Sequence, residues 1–171
     1  MNFRWIGVAL IVAVSAGCVT PPEFAGPITV TQTYDFDASA QELWTAANLW
    51  IAESFNSAEA VIEFSDRDAA VIAGRATTEF TWENPEATEF GYSGGAELVS
   101  TLRFYLAIEG RDGAMRVTFS QLEARAAVNP ANSPNPFSPL IEEQVEGARA
   151  ELGMLLNSLR TFVAARLSES W

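Results

Sequence analysis

Histidine and lysine are both absent from the 171 residues, and cysteine occurs once, at Cys18. Each absence closes a class of chemistry. Without histidine the usual general base of a nucleophilic triad is missing, and without lysine a Ser–Lys dyad is excluded too. Zinc sites built from histidine and cysteine fall by the same count. One cysteine allows no internal disulfide, so the core alone must hold the fold. No Gly-x-Gly-x-x-Gly and no Gly-x-x-x-x-Gly-Lys string occurs, which removes the common phosphate-cradling loops. Only carboxylate chemistry is left, as paired acids or a calcium site. Positive charge is scarce as well: ten arginines stand against 22 acids, for a formal net charge of −12. Such a field repels phosphate backbones and anionic headgroups, which opposes nucleic-acid binding and a polybasic membrane contact.

Long apolar runs are also lacking. The longest, Trp5 to Val14, follows Arg4 and leads into Ser15-Ala16-Gly17-Cys18. It falls well short of the roughly 20 residues that span a bilayer. A positive start, a short apolar run and small residues, in that order, read as a secretory signal. Its end resembles the lipobox of bacterial lipoproteins, although Ser15 stands where leucine is usual. The resemblance implies cleavage before Cys18 after its thiol has received a diacylglyceryl group; the alternative is an ordinary signal with Cys18 incidental. Residues 1–17 are thus expected to be the signal, 18–27 a lipidated cysteine with a Pro-rich tether, and 28–167 a single domain. Membrane attachment would rest on acyl chains, two or three of which anchor stably where one does not. Val19, with no aspartate after the cysteine, points to the outer membrane under the usual enterobacterial rule.

The domain begins with period-two alternation. Ile28, Val30, Tyr34 and Phe36 face one way, and Thr29, Thr31, Thr33 and Asp35 the other, as in a half-buried strand. Ser39 then caps a helix over residues 40–55, whose apolar arc carries Leu43, Trp44, Ala47, Trp50, Ile51 and Phe55. Two tryptophans on that arc read as core, with a ligand platform as the alternative. Strands follow at about 60–65 and 69–80, joined by a Ser65-Asp66-Arg67-Asp68 turn. Residues 81–97 read as a long hairpin loop. Two more strands carry Leu102, Phe104, Leu106 and Ile108, then Met115, Val117 and Phe119, with Asp112-Gly113 as the tight turn between them. Residues 126–139 hold four prolines and three asparagines and read as a loop. Ser138 and Pro139 look like the N-cap and first position of a final helix running to about 167. Its apolar spacing (Ile141, Val145, Ala148, Leu152, Leu155, Leu159, Phe162) suits packing on a sheet; Gly147 and Gly153 argue against a coiled-coil seam. The order β-α-β-β-β-β-α predicts an α+β fold with a single antiparallel sheet and both helices on one face.

The stretch from Tyr34 to Thr81 also carries a resemblance. It has a strand ending in Tyr34-Asp35-Phe36, a helix reading LWTAANLWIAESFNSAEAVI, the Ser-Asp-Arg-Asp turn and VIAGRATTEF, with Trp50, Phe55, Asp66 and Gly74 as landmarks. It resembles a family of bacterial envelope proteins of unknown function, many of them lipoproteins, with a TATA-binding-protein-like fold. The resemblance implies a curved antiparallel sheet backed by helices, and it brings no ligand, catalytic residue or DNA role, because a fold does not carry a function.

Asp66 and Asp68 are the best acidic pair, but an Asp/Ser run between strands is an ordinary turn former. Glu142, Glu143 and Glu146 sit where negative charge complements a helix N-terminus. Neither group makes a persuasive catalytic or metal site, and no cofactor is expected. The sheet face turned away from the helices is more informative. Strand parity places Arg103, Tyr105, Arg116 and Thr118 there, with Arg75 on the neighbouring strand. These five residues form the candidate ligand or partner face, open to an anionic or glycan ligand or a partner segment. The bland alternative is a solvated face with cross-strand pairs to Glu63, Glu79 or Glu109. Three functions follow: a non-enzymatic, lipid-anchored envelope binding module for a protein or small ligand; a structural accessory of an envelope assembly, docked through the last helix or the Pro-rich loop; and, with least support, a carboxylate-dependent hydrolase.

Overall fold

The structure is a computed structural model that describes residues 23–55, 61–84, 96–126 and 137–169. Cys18 and the centres of the 81–97 and 126–139 segments lie outside the described residues. In chain order the elements are β1 (Val30–Asp35), α1 (Ala40–Ser54), β2 (Ile62–Asp66), β3 (Val71–Asn84), β4 (Ala96–Arg111), β5 (Ala114–Ala126), β6 (Ser138–Pro139) and α2 (Glu142–Ser168). The sheet runs β1-β5-β4-β3-β2, antiparallel throughout, and β6 pairs with β5 at Glu123 and Ala124. Both helices cover one face, giving the expected α+β architecture. The β3–β4 hairpin is longer than the alternation indicated, because its ladder continues from Val71 opposite Glu109 as far as Asn84 opposite Ala96.

Local chemistry explains where the first helix starts. Ser39 is its N-cap, and a capping box closes around it. The Ser39 backbone N–H donates to Glu42 Oε2 at 2.8 Å, the Ser39 hydroxyl donates to the same oxygen at 2.7 Å, and Glu42 N–H donates back to Ser39 Oγ at 3.4 Å. A second carboxylate serves the same helix end: Asp112, in the β4–β5 turn, accepts from Ala40 N–H at 2.9 Å. That turn is a two-residue connection in which Gly113 takes φ +84°, and it is tied down by Gly113 N–H to Ala38 O and Phe36 N–H to Gly113 O, both 2.9 Å.

The second helix starts later than Ser138 and Pro139 suggested. Those two residues form β6, an edge position where a proline lacking its N–H is tolerated. Leu140 is buried, and Ile141 takes the N-cap backbone conformation, its N–H donating to Gln144 Oε1 at 3.3 Å. Isoleucine has no side-chain acceptor, so only this half of a capping box exists. The buried stripe of α2 is Gln144, Ala148, Leu152, Leu156, Leu159 and Val163, about one position round from the expected line, with Leu155 and Phe162 at its margin.

The core lies between the helices and the inner sheet face. Leu43, Ala47, Trp50 and Ile51 of α1 meet Leu102, Phe104, Leu106 and Ile108 of β4 and Met115, Val117 and Phe119 of β5. Trp50 is 1% exposed, packs edge-on against Phe55 at 5.5 Å, and donates its indole N–H to Ser158 Oγ of α2 at 3.2 Å. It is a core residue. The approach of α2 to β3 is closer than side chains allow: a Cβ on Gly147 would lie 2.1 Å from the Thr81 carbonyl oxygen, whereas one on Gly153 would meet nothing within 4 Å. Gly74 is constrained in the same way beneath Val61, whose carbonyl oxygen would sit 1.7 Å from an added Cβ.

One irregularity in β5 shapes both faces. Tyr105 pairs with Ser120 but Arg103 pairs with Glu123, so Gln121 and Leu122 together oppose Phe104. This is a β-bulge, and Gln121 takes φ +53° within it. Inward positions on β5 are therefore odd up to Phe119 and even from Leu122, which with Ala124 remains buried.

Two tests follow from this packing. Replacing a helical glycine by alanine normally gains about 1 kcal/mol. Gly153→Ala should show that gain, while Gly147→Ala should lose about 1–3 kcal/mol as helix and strand are forced apart; denaturant melts of the two variants compare the signs directly. The two hydrogen bonds from Ser39 hold the Glu42 carboxyl below its ordinary value. A lowered folded-state value stabilises the fold above the unfolded carboxylate value, and that contribution is lost as pH falls through the folded one. The melting-temperature gap between the native chain and Glu42→Gln should thus be widest near neutrality and close in acid.

Candidate functional site

The acidic groups singled out in the sequence have structural roles. Asp66 Oδ1 accepts from the backbone N–H groups of Asp68 and Ala69, both at 2.9 Å, which makes it the organiser of the β2–β3 turn. Glu142 and Glu143 occupy the first turn of α2, beside its positive end. Among the described residues no three acidic side chains come together to hold a metal ion.

The outer face of the sheet gathers the other candidates. Arg75 and Tyr105 are direct cross-strand partners on β3 and β4; Tyr105 also faces Ser120 of β5, and Arg116 faces both Glu109 and Thr33. Thr118 lies opposite Thr31, their hydroxyls 3.3 Å apart. Arg75, Arg103, Tyr105, Arg116 and Thr118 therefore share one surface. The bulge lies beyond Ser120, so it leaves the parity of Arg116 and Thr118 intact.

Each of the three arginines has a carboxylate partner. Arg75 pairs with Glu63 at 3.5 Å, and Arg116 pairs with Glu109. Arg103 reaches Glu123 with both Nε, at 2.8 Å, and Nη2. Glu63 and Glu109 were among the partners that strand parity offered; Glu79 is not used, and Glu123 takes its place because the bulge turns it outward. The Arg103 guanidinium is also covered by the Phe137 ring at 4.1 Å, with Arg125 at 5.3 Å from the same ring.

Beside this cluster lies a cavity of about 850 Å³. Its floor is Arg75, Arg103, Tyr105 and Ser120, and the bulge residues Gln121 to Glu123 form one flank. The opposing wall is the segment Ala25 to Thr29 together with Pro139 and Leu140. That wall is held by Ala25 N–H donating to Leu140 O at 2.8 Å and by a bridge between Phe24 and Ile141. Sequence reasoning assigned 18–27 to a tether and 126–139 to a loop, and so missed that their ends close over the sheet. It also missed Gln121. The signal was present as a slip in the apolar alternation between Phe119 and Leu122.

A second cavity, about 670 Å³, lies between α1, Arg67 and the end of α2. Its charged groups are engaged within the protein: Glu42 with Ser39, Arg166 with Glu169, and Arg67 over the Trp44 ring at 5.9 Å.

Comparison with known proteins agrees with this architecture. A profile described as a domain of unknown function (DUF4468) with TBP-like fold matches residues 36–125, more than half of the chain. A DUF4468 family protein from Bacteroides ovatus ATCC 8483 superposes with a TM-score of 0.59 at 12% identity, over 83% of this chain and 89% of that one. A TBP-like protein from Parabacteroides distasonis ATCC 8503 gives 0.56 at 11% identity, over 83% and 96%. No curated protein sequence matches the chain. At such identities the likeness concerns the fold alone. With the family profile spanning β2 to β5 and α1, the chain belongs to the DUF4468 family, whose domains of unknown function have a TBP-like fold.

Proposed function

We propose that this protein is a lipid-anchored envelope protein of the bacterial cell, attached through acyl chains on Cys18, whose domain is a non-enzymatic binding module for a partner protein or small ligand. The observation that carries the binding role is the outer sheet face with its cavity of about 850 Å³, within the usual range for ligand sites. The anchoring role rests on Arg4, the apolar run and Ser15-Ala16-Gly17-Cys18. The two fit together. Ala25, on the cavity wall, is seven residues from Cys18, so covalent geometry keeps the wall within ~25 Å of the anchor. Val19 favours the outer membrane, with the domain facing the periplasm. No helix among the described residues is long and apolar enough to cross a membrane.

Docking of an accessory protein through the last helix has less support, since the apolar stripe of α2 is covered by the protein's own sheet and α1. Met154, 62% exposed, is the large apolar side chain that α2 shows to solvent.

Two measurements in the native host test the proposal. Palmitate labelling of the chain should disappear in Cys18→Ser; undiminished labelling would refute the anchor. A photoreactive benzoylphenylalanine replacing Thr118 should crosslink to an envelope component, while the same residue replacing Met154 should not. Crosslinks confined to position 154 would move the function to the helix.

A further inference from the structure

The groups that line the cavity define what it would hold. Its charged side chains are mutually neutralised, Arg103 by Glu123 and Arg75 by Glu63. A purely anionic ligand would compete at each guanidinium with a carboxylate already in place. In contrast, three uncharged hydrogen-bonding side chains facing the same space, the Tyr105 hydroxyl, the Ser120 hydroxyl and the Gln121 amide, have no side-chain partner among the described residues. Two of them are on the floor, at directly paired positions on β4 and β5; the third is on the bulge, where Gln121 is held at φ +53°. Strain of that kind in a non-glycine residue recurs at ligand sites. The Arg103–Glu123 pair adds both donors and acceptors at a fixed position, because Arg103 reaches Glu123 with two nitrogens and lies over the Phe137 ring.

We infer that the cavity is a carbohydrate site, taking a neutral oligosaccharide whose hydroxyls meet Tyr105, Ser120, Gln121 and the outer edges of the Arg103–Glu123 pair. This deepens the binding-module reading and rests on it. Sugar hydroxyls donate and accept at once, which matches a lining that offers both without net charge. The half-buried Tyr105 ring supplies a flat apolar patch for a pyranose face. A volume of about 850 Å³ accommodates several sugar rings. An extended peptide fits less well: the floor is a sheet face, whose backbone groups are already used in the β3–β4–β5 ladders, so a peptide's own amides would find few partners there.

The test uses the full chain, isotope-labelled and held in detergent micelles. It is titrated separately with chitotetraose, maltotetraose and cellotetraose, and with trigalacturonate and tetra-alanine as anionic and peptide probes. At least one neutral sugar should produce saturable amide shifts centred on Arg103, Tyr105, Ser120 and Gln121. Its affinity should fall at least tenfold in Gln121→Ala and in Tyr105→Phe, with melting temperatures unchanged; Tyr105→Phe keeps the ring and so preserves the packing. Stronger binding of trigalacturonate or tetra-alanine at the same amides would overturn the carbohydrate assignment while leaving the binding module standing. So would the absence of any sugar-dependent shift there, if crosslinking from position 118 still succeeds. Failure of that crosslinking together with the sugar titration would remove both readings.

Discussion

The extra residue in β5 sets what each side of the sheet can be. An unbroken alternation from Met115 would carry Gln121 and Glu123 into the apolar layer beneath the helices and push Leu122 and Ala124 into solvent, exchanging two buried hydrophobes for an amide and a carboxylate. Burying an unpaired carboxylate costs far more than a strained backbone angle. The bulge resolves this at the level of one residue. It keeps Leu122 and Ala124 in the core, aims Glu123 at Arg103, and leaves the Gln121 side chain at the rim of the outer cavity. Core packing, charge pairing and the shape of the candidate site thus share a single cause, and a change in the register of β5 alters all three.

The same one-sidedness governs the helices. α1 and α2 cover the inner face, and α2 comes close enough to β3 that only glycine fits at position 147. With both helices on that side, the outer face is left largely to polar side chains, and Arg75, Arg103 and Arg116 stand there in pairs with carboxylates. A formal net charge of −12 makes this arrangement consequential. The outer face carries donors without a strong field, whereas a cluster of unpaired arginines in so acidic a chain would attract carboxylates from its own surface. A neutral hydrogen-bonding surface suits uncharged ligands better than anions.

Much of this was legible in the sequence, for physical reasons that differ by element. Strand alternation at Leu102–Ile108 and Met115–Phe119 and the arc of α1 gave the core, because burial on one face imposes periods of 2 and 3.6. Ser39 and the Asp112-Gly113 turn announced themselves through side-chain chemistry. The start of α2 did not: Ser138-Pro139 is a valid helix opening and an equally valid edge strand, and only the burial of Leu140 and the pairing with β5 decide between them. The pairing of Arg75 and Arg116 was readable from parity, but that of Arg103 was not, because Glu123 reaches the outer face only through the bulge. The cavity wall was least legible of all. It depends on segments distant in sequence, residues 25–29 and 139–140, meeting through backbone bonds that no local pattern encodes.

The most direct measurement is the thermal stability of a chain lacking Gln121, set beside Gln121→Gly. Deleting the residue removes the bulge yet leaves Leu122 inward and Glu123 opposite Arg103, so the shortened chain should fold and melt cooperatively at or above the native temperature. Gln121→Gly keeps the bulge and relieves a left-handed residue that costs roughly 1–2 kcal/mol for a side chain, so it should melt at or above the native temperature. A deletion variant that loses cooperative melting would contradict the idea that Gln121 is the single extra residue in an otherwise continuous alternation.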